Sequence, residues 1–110
     1  MDISTLNTKN TLVARVEAAR IDSAAAVQFK DKMREITENG EARVVLDLSN
    51  VTFLDSSGLG AVVAAMKQLG TNRRLDIAGL TPAVGKVFKL TRMDTVFQIY
   101  NSAEEALSNA

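Results

Sequence analysis

The apolar positions of this 110-residue chain change period several times. Thr11-Leu12-Val13-Ala14-Arg15-Val16 mixes β-branched and polar residues and predicts a strand, with a shorter run near Ile3 expected to pair with it. From Ser23 the spacing becomes helical. Ala26, Phe29, Met33 and Ile36 recur at three- and four-residue intervals and make one apolar stripe. Asp22 or Ser23 stands where a helix cap belongs, and Asn39-Gly40 where the helix should end. Lys30, Lys32, Arg34, Glu35 and Glu38 form its solvated, mixed-charge face. Val44-Val45-Leu46-Asp47-Leu48 is a nearly continuous apolar run, the pattern of a strand buried on both faces of a parallel sheet. Val51 and Phe53 carry that character on towards Asp55.

Asp55-Ser56-Ser57-Gly58 is a turn and capping cluster. The helix predicted after it presents Leu59, Val62, Val63, Met66 and Leu69 on one face and ends at Gly70. Ala61, Ala64 and Ala65 lie opposite, either as a thin face against a neighbouring helix or as a flat docking surface beside Ser57. Arg73-Arg74 is expected in a solvated loop. Leu75-Asp76-Ile77-Ala78 predicts a strand. Thr81-Pro82 opens a helix with Val84, Val87 and Phe88 turned inward. Val96-Phe97-Gln98-Ile99-Tyr100 predicts a last strand, and Ser102-Ala103-Glu104-Glu105 has capping-box spacing for a terminal helix. Strands followed by alternating helix and strand predict an α/β fold. Its sheet is mixed and largely parallel, with four to five strands, and about four helices lie mostly on one face. The elements follow without a linker or repeat, so residues 1–110 are expected to form a single domain.

Composition changes the picture by exclusion. No cysteine means no disulfide, thiolate nucleophile or cysteine-bound metal. No histidine removes the commonest general base and metal ligand, and with them the Ser-His-Asp triad. Thirteen basic and thirteen acidic residues balance to zero, so no net field draws nucleic acid or an anionic membrane. No apolar run approaches the roughly 20 residues needed to span a bilayer. The polar segment Met1 to Asn10 has no signal-peptide character, so the expected location is the cytoplasm with no membrane insertion, and a small domain without an obvious exposed apolar stripe is expected to be monomeric when free. Gly58-Leu59-Gly60 fails as a dinucleotide fingerprint because Val63 stands where the third glycine belongs. Asp55 and Leu59 occupy the glycine places of a nucleophile elbow around Ser57. Asp47 and Asp55 lack the early acidic pair that would complete a Mg²⁺ site, with Asp22 alone in that region. Asp47 is read as a strand residue reaching a solvent edge or a backbone N–H. No catalytic residue, metal or cofactor is expected.

Ser57 falls where a buried strand gives way to a helix. Ligands and partners meet parallel sheets at such strand ends. A helix start has free N–H groups and partial positive charge, so it tolerates an anion. A phosphate on Ser57 would add about −1.5 to −2 charges at neutral pH, acting on docking more than on folding. The plainer reading is that Ser56 or Ser57 is simply the N-cap.

The stretch from Val44 through Asp55-Ser56-Ser57-Gly58-Leu59-Gly60 resembles the signature of the STAS domain, and in particular of bacterial anti-sigma-factor antagonists. Ile21-Asp22 and Thr81-Pro82-Ala83-Val84 extend the resemblance over nearly the whole chain. It implies that Ser57 is the phosphoacceptor, with Ser56 the runner-up. It further implies that Asp22, Ser23, Asp55, Ser56, Ser57, Gly58, Leu59 and Gly60 face the partner, Gly58 letting it approach the backbone. That partner would be a serine kinase and anti-sigma factor of the histidine-kinase-like ATPase fold, and a PP2C-type phosphatase would reset the switch. Ala19 and Arg20 depart from the glycine and acidic residue that many relatives carry there. A non-phosphorylated subunit of an ABC-type transport complex and a small-molecule or nucleotide-binding module are the alternatives.

Overall fold

The computed structural model describes residues 1–109. A hairpin of β1 (Ile3–Thr8) and β2 (Thr11–Val16) comes first, and β3 (Arg20–Ile21) leads into α1 (Ser23–Ile36). Next, β4 (Arg43–Asp47) and β5 (Phe53–Leu54) lead into α2 (Ser56–Leu69). Then come β6 (Arg74–Ala78), α3 (Pro82–Leu90), a 3-10 turn (Met93–Thr95), β7 (Ile99–Tyr100) and α4 (Ala103–Ser108).

The main sheet has the order β1-β2-β4-β6-β7; its first pair is antiparallel and the others are parallel. All five residues of the central strand β4 are buried, as its apolar run predicts. Alternation along β4 sorts the two faces. Val44 and Leu46 enter a large core with Phe29 and Met33 of α1, Leu59 and Val62 of α2, and Val84 and Phe88 of α3. Val45 points the other way, into a small cluster with Val13, Ala78 and Ala106 of α4. Three helices therefore share one face and α4 has the other, the lopsided layering expected from the sequence. Full burial of a side chain such as Phe29 is worth roughly 2–3 kcal/mol, which is why the three-helix face dominates stability.

Three local expectations fail for physical reasons. The predicted strand over Val96–Tyr100 shrinks to Ile99–Tyr100. The chain leaves α3 through Arg92, in the left-handed region at φ 60°, and a 3-10 turn, and it meets β6 only at Ile77 and Ala78. Phe97 turns into the core, edge-on to Phe88 with ring centroids 6.0 Å apart, while Val96 is left exposed. Arg73-Arg74 is no solvated loop. Arg74 opens β6 and binds buried Asp76 at 2.8 Å, and Arg73 donates to the Thr37 carbonyl at 2.8 Å. Ala61 and Ala65 are buried where α2 packs on α1, and Ala64 and Ala65 border Lys30 and Arg34 of that helix. The alanines are thus a thin face for a neighbouring helix, and the docking-surface alternative falls.

Asp47 reaches a backbone N–H rather than the solvent edge. It is buried, accepts from the Ser49 N–H at 2.9 Å and pairs with Arg15 at 3.1 Å. Gly79, at φ +73°, lies so close that a Cβ would sit 3.0 Å from the Asp47 Oδ1, so the strand end needs a glycine there.

Candidate functional site

Two strand–aspartate–helix units lie side by side. In the small parallel ladder β3–β5, Arg20 pairs with Phe53 and Ile21 with Leu54. The next residue in each unit is an aspartate, and each is an N-cap. Asp22 accepts from the Ala25 N–H at 3.1 Å and starts α1; Asp55 accepts from the Gly58 N–H at 2.8 Å and starts α2. The echo is visible in the residues, Arg20-Ile21-Asp22-Ser23 against Phe53-Leu54-Asp55-Ser56. The ladder brings the two helix starts, and their partial positive charges, to one edge. Thr52 and Phe53 both donate backbone N–H groups to the Ala19 carbonyl, which fixes the register.

This geometry corrects the plainer reading of the serines. Neither Ser56 nor Ser57 is the cap; Asp55 is. Ser56 and Ser57 are the first two residues of α2, and both are exposed. The Gly58 and Leu59 N–H groups are taken by Asp55, which leaves those of Ser56 and Ser57 without an intrahelical acceptor. Ser57 thus offers a free hydroxyl at a helix start whose integrity rests on another residue. Replacing Asp55 with alanine should destabilise the domain by about 1 kcal/mol, with Asp55→Asn close to neutral, both read from urea unfolding.

The other expected site residues divide by burial. Asp22 is half-buried, and Ser23 and Gly60 are exposed. Gly58 and Leu59 are buried. The reason for glycine at 58 also differs from expectation. A Cβ there would lie 1.9 Å from the Ile21 carbonyl oxygen and 2.8 Å from a Leu54 methyl. The missing side chain makes room for this chain's own β3, not for a partner. The Ala25 N–H, helped by Arg20, holds the Asp22 carboxyl below its ordinary value. The cap is therefore fully formed at neutral pH and lost only as pH falls through that depressed value.

Sequence reasoning missed the contact that ties the two units together on the outside. The Arg20 guanidinium carbon sits 4.0 Å above the centre of the Phe53 ring, and its Nε donates to Asp22 at 3.4 Å. Two-residue strands give no periodicity to read, and only the shared aliphatic-Asp-Ser pattern at Ile21-Asp22-Ser23 and Leu54-Asp55-Ser56 could have disclosed them. No helix among the described residues is long and apolar enough to cross a membrane.

Comparison with known proteins bears on this arrangement. The family model for the STAS domain matches residues 2–106. A protein of Bordetella bronchiseptica, named provisionally as the anti-sigma factor antagonist BtrV, is 34% identical over 87 residues, covering 78% of this chain and 75% of that protein. The crystal structure of an anti-sigma factor antagonist from Mycobacterium paratuberculosis superposes with a TM-score of 0.85 at 27% identity, over 98% of this chain and 93% of that one. The Bacillus cell fate determinant SpoIIAA in its phosphorylated form shares the fold, with a TM-score of 0.71 at 23% identity over 98% of each chain.

Proposed function

The chain belongs to the STAS domain family, and we propose that within it the chain is an anti-sigma-factor antagonist whose binding is switched off by a phosphate on Ser57. One observation carries the reading: Asp55 caps α2, so the exposed Ser57 hydroxyl has no structural duty. A phosphate there meets the open N–H groups of Ser56 and Ser57 and the positive end of α2, so the fold accepts it. A partner lying across the same edge does not, because it would have to bury a dianion.

In this reading the unphosphorylated chain binds a serine kinase and anti-sigma factor of the histidine-kinase-like ATPase fold and frees that factor's target. A PP2C-type phosphatase restores the binding form, and the exchange takes place in the cytoplasm. Asp22, Ser23, Ser56, Ser57 and Gly60 make the contact surface, while Asp55, Gly58 and Leu59 hold it from beneath. The chain supplies a hydroxyl and a surface; ATP, Mg²⁺ and catalysis belong to the kinase. Names given to the Bordetella and Mycobacterium relatives support the antagonist role.

The test is incubation with the serine kinases of the same organism that have the histidine-kinase-like ATPase fold and with ATP–Mg²⁺, followed by peptide mass spectrometry and a binding assay. One phosphate on Ser57 with loss of the complex is expected. A phosphate on Ser56, or none, overturns the reading. Ser57→Ala should keep the complex, take no phosphate and unfold within about 0.5 kcal/mol of the unmodified chain, as an exposed non-cap position does.

A further inference from the structure

We propose that Arg20 and Phe53 are the anchor by which this edge selects its protein partner, and that the group they take is a carboxylate side chain. The proposal rests on the reading that the edge around Ser57 binds a protein. It adds which residues choose that protein and what chemistry they choose.

Arg20 is held in place before any partner arrives. Its guanidinium carbon lies 4.0 Å over the Phe53 ring, its strand neighbour in the β3–β5 ladder, and its Nε is tied to Asp22. Among the described residues, Asp22 is the only group bonded to the guanidinium, through Nε alone, so the two terminal amino groups remain open. The side chain is 59% exposed. An arginine fixed at its stem with its amino groups open is a ready donor for a carboxylate, and little rotamer freedom remains to be lost on binding.

The ring beneath it is also unusual. Phe53 is one of few large apolar side chains left exposed, at 38%, although its strand neighbour Leu54 is buried. Arginine and aromatic residues are the types that concentrate binding energy at protein interfaces. The two local acids leave those amino groups free: Asp22 takes the Ala25 N–H on one oxygen and the Arg20 Nε on the other, and Asp55 takes the Gly58 N–H. The open cationic donors on this edge are therefore the two terminal amino groups of Arg20. Its position is right as well. Arg20 precedes the cap of α1 by two residues, Phe53 precedes the cap of α2 by two, and the Ile21 carbonyl presses against Gly58, next to Ser57.

The experiment is calorimetric titration of the unphosphorylated chain with the serine kinase that phosphorylates Ser57 in the test above, or, should none do so, with each kinase tried there, comparing the natural sequence with Arg20→Glu, Arg20→Lys and Phe53→Leu. Arg20→Glu should weaken binding by roughly tenfold or more, and the lysine and leucine variants by a smaller factor. The natural pair should weaken as salt rises, and Arg20→Glu should flatten that dependence. Kinase turnover of Ser57 should change in KM and not in kcat, since Arg20 positions and does not react. If the natural chain binds and is phosphorylated while both arginine variants bind as tightly as it does, the anchor is refuted and the Ser57 switch stands. If the natural chain neither binds nor accepts phosphate, the underlying reading fails instead. Arg20→Lys keeps the charge beside Asp22, so it remains informative should the reversal disturb folding.

Discussion

Asp76→Ala is expected to destabilise the domain by about 3–5 kcal/mol. That would remove a large part of the roughly 5–15 kcal/mol that holds a domain of this size together. Asp76 lies in the middle of β6, only 1% exposed, on the face that α4 covers in part. It accepts from two arginines that differ in one decisive respect. Arg74 is 56% exposed along its side chain and can return to water, so its pair with Asp76 adds little. Arg43 is 8% exposed, and its Nε–Asp76 contact of 2.8 Å is its only ion pair among the described residues. Its two terminal nitrogens are buried without a partner among those residues, the Tyr100 ring lying 5.6 Å away. Take Asp76 away and a buried guanidinium is left with no counter-charge. Urea unfolding followed by circular dichroism reads the effect. Arg74→Ala should change stability by under about 1 kcal/mol, and replacing Arg43 and Asp76 together by leucine should recover most of the loss. A loss below about 1 kcal/mol for Asp76→Ala would mean that Arg43 is hydrated, and the reasoning would be wrong.

Nothing in the one-dimensional pattern announces this cluster. The pattern puts Arg74 in a loop and Asp76 inside a strand and gives Arg43 no role, and only the parallel register of β4 on β6 stacks Arg43 beside Arg74. The same limit explains what was legible elsewhere. The stripe of Ala26, Phe29 and Met33 repeats a period long enough to identify a helix, the continuous apolar run from Val44 to Leu46 marks a strand buried on both faces, and the core uses those residues. The ladder of Arg20-Ile21 on Phe53-Leu54 has two residues per strand, too few to show alternation, yet it is what brings the two helix starts together. The cap of α2 was ambiguous for another reason: aspartate and serine both make good N-caps, and Asp55, Ser56 and Ser57 stand in a row. Only the backbone decides among them, through the extended conformation of Asp55 and its bond to Gly58. Val96–Tyr100 had strand composition, but the length of the turn from Arg92 to Thr95 delays its arrival at β6.

Gly58→Ala joins the fold to the proposed switch in one substitution. The backbone of Gly58 is helical with no positive φ, so alanine suits its local conformation and would favour the helix by up to about 1 kcal/mol. The surroundings outweigh that gain. The new methyl would sit 1.9 Å from the Ile21 carbonyl oxygen, a backbone atom in a strand pinned to β5. A flexible side chain could step aside, but here β3 and α2 must part. A net loss of about 3 kcal/mol is expected, at the upper end for overpacking a core. That corresponds to a fall in Tm of about 12–20 °C for a domain near this size, read by thermal circular dichroism. The functional consequence is separable from the stability loss. Moving β3 from α2 shifts Asp22 and Arg20 relative to Ser57, so at a temperature where the variant is still folded its affinity for the kinase should fall. Gly60→Ala is the stability control: among the described residues nothing beyond its own helix backbone and chain neighbours lies within 4 Å of the methyl it would add, so stability should stay close to that of the natural chain. Equal tolerance of alanine at 58 and 60 would show that β3 yields freely, and the rigid pairing of the two helix starts would have to be abandoned.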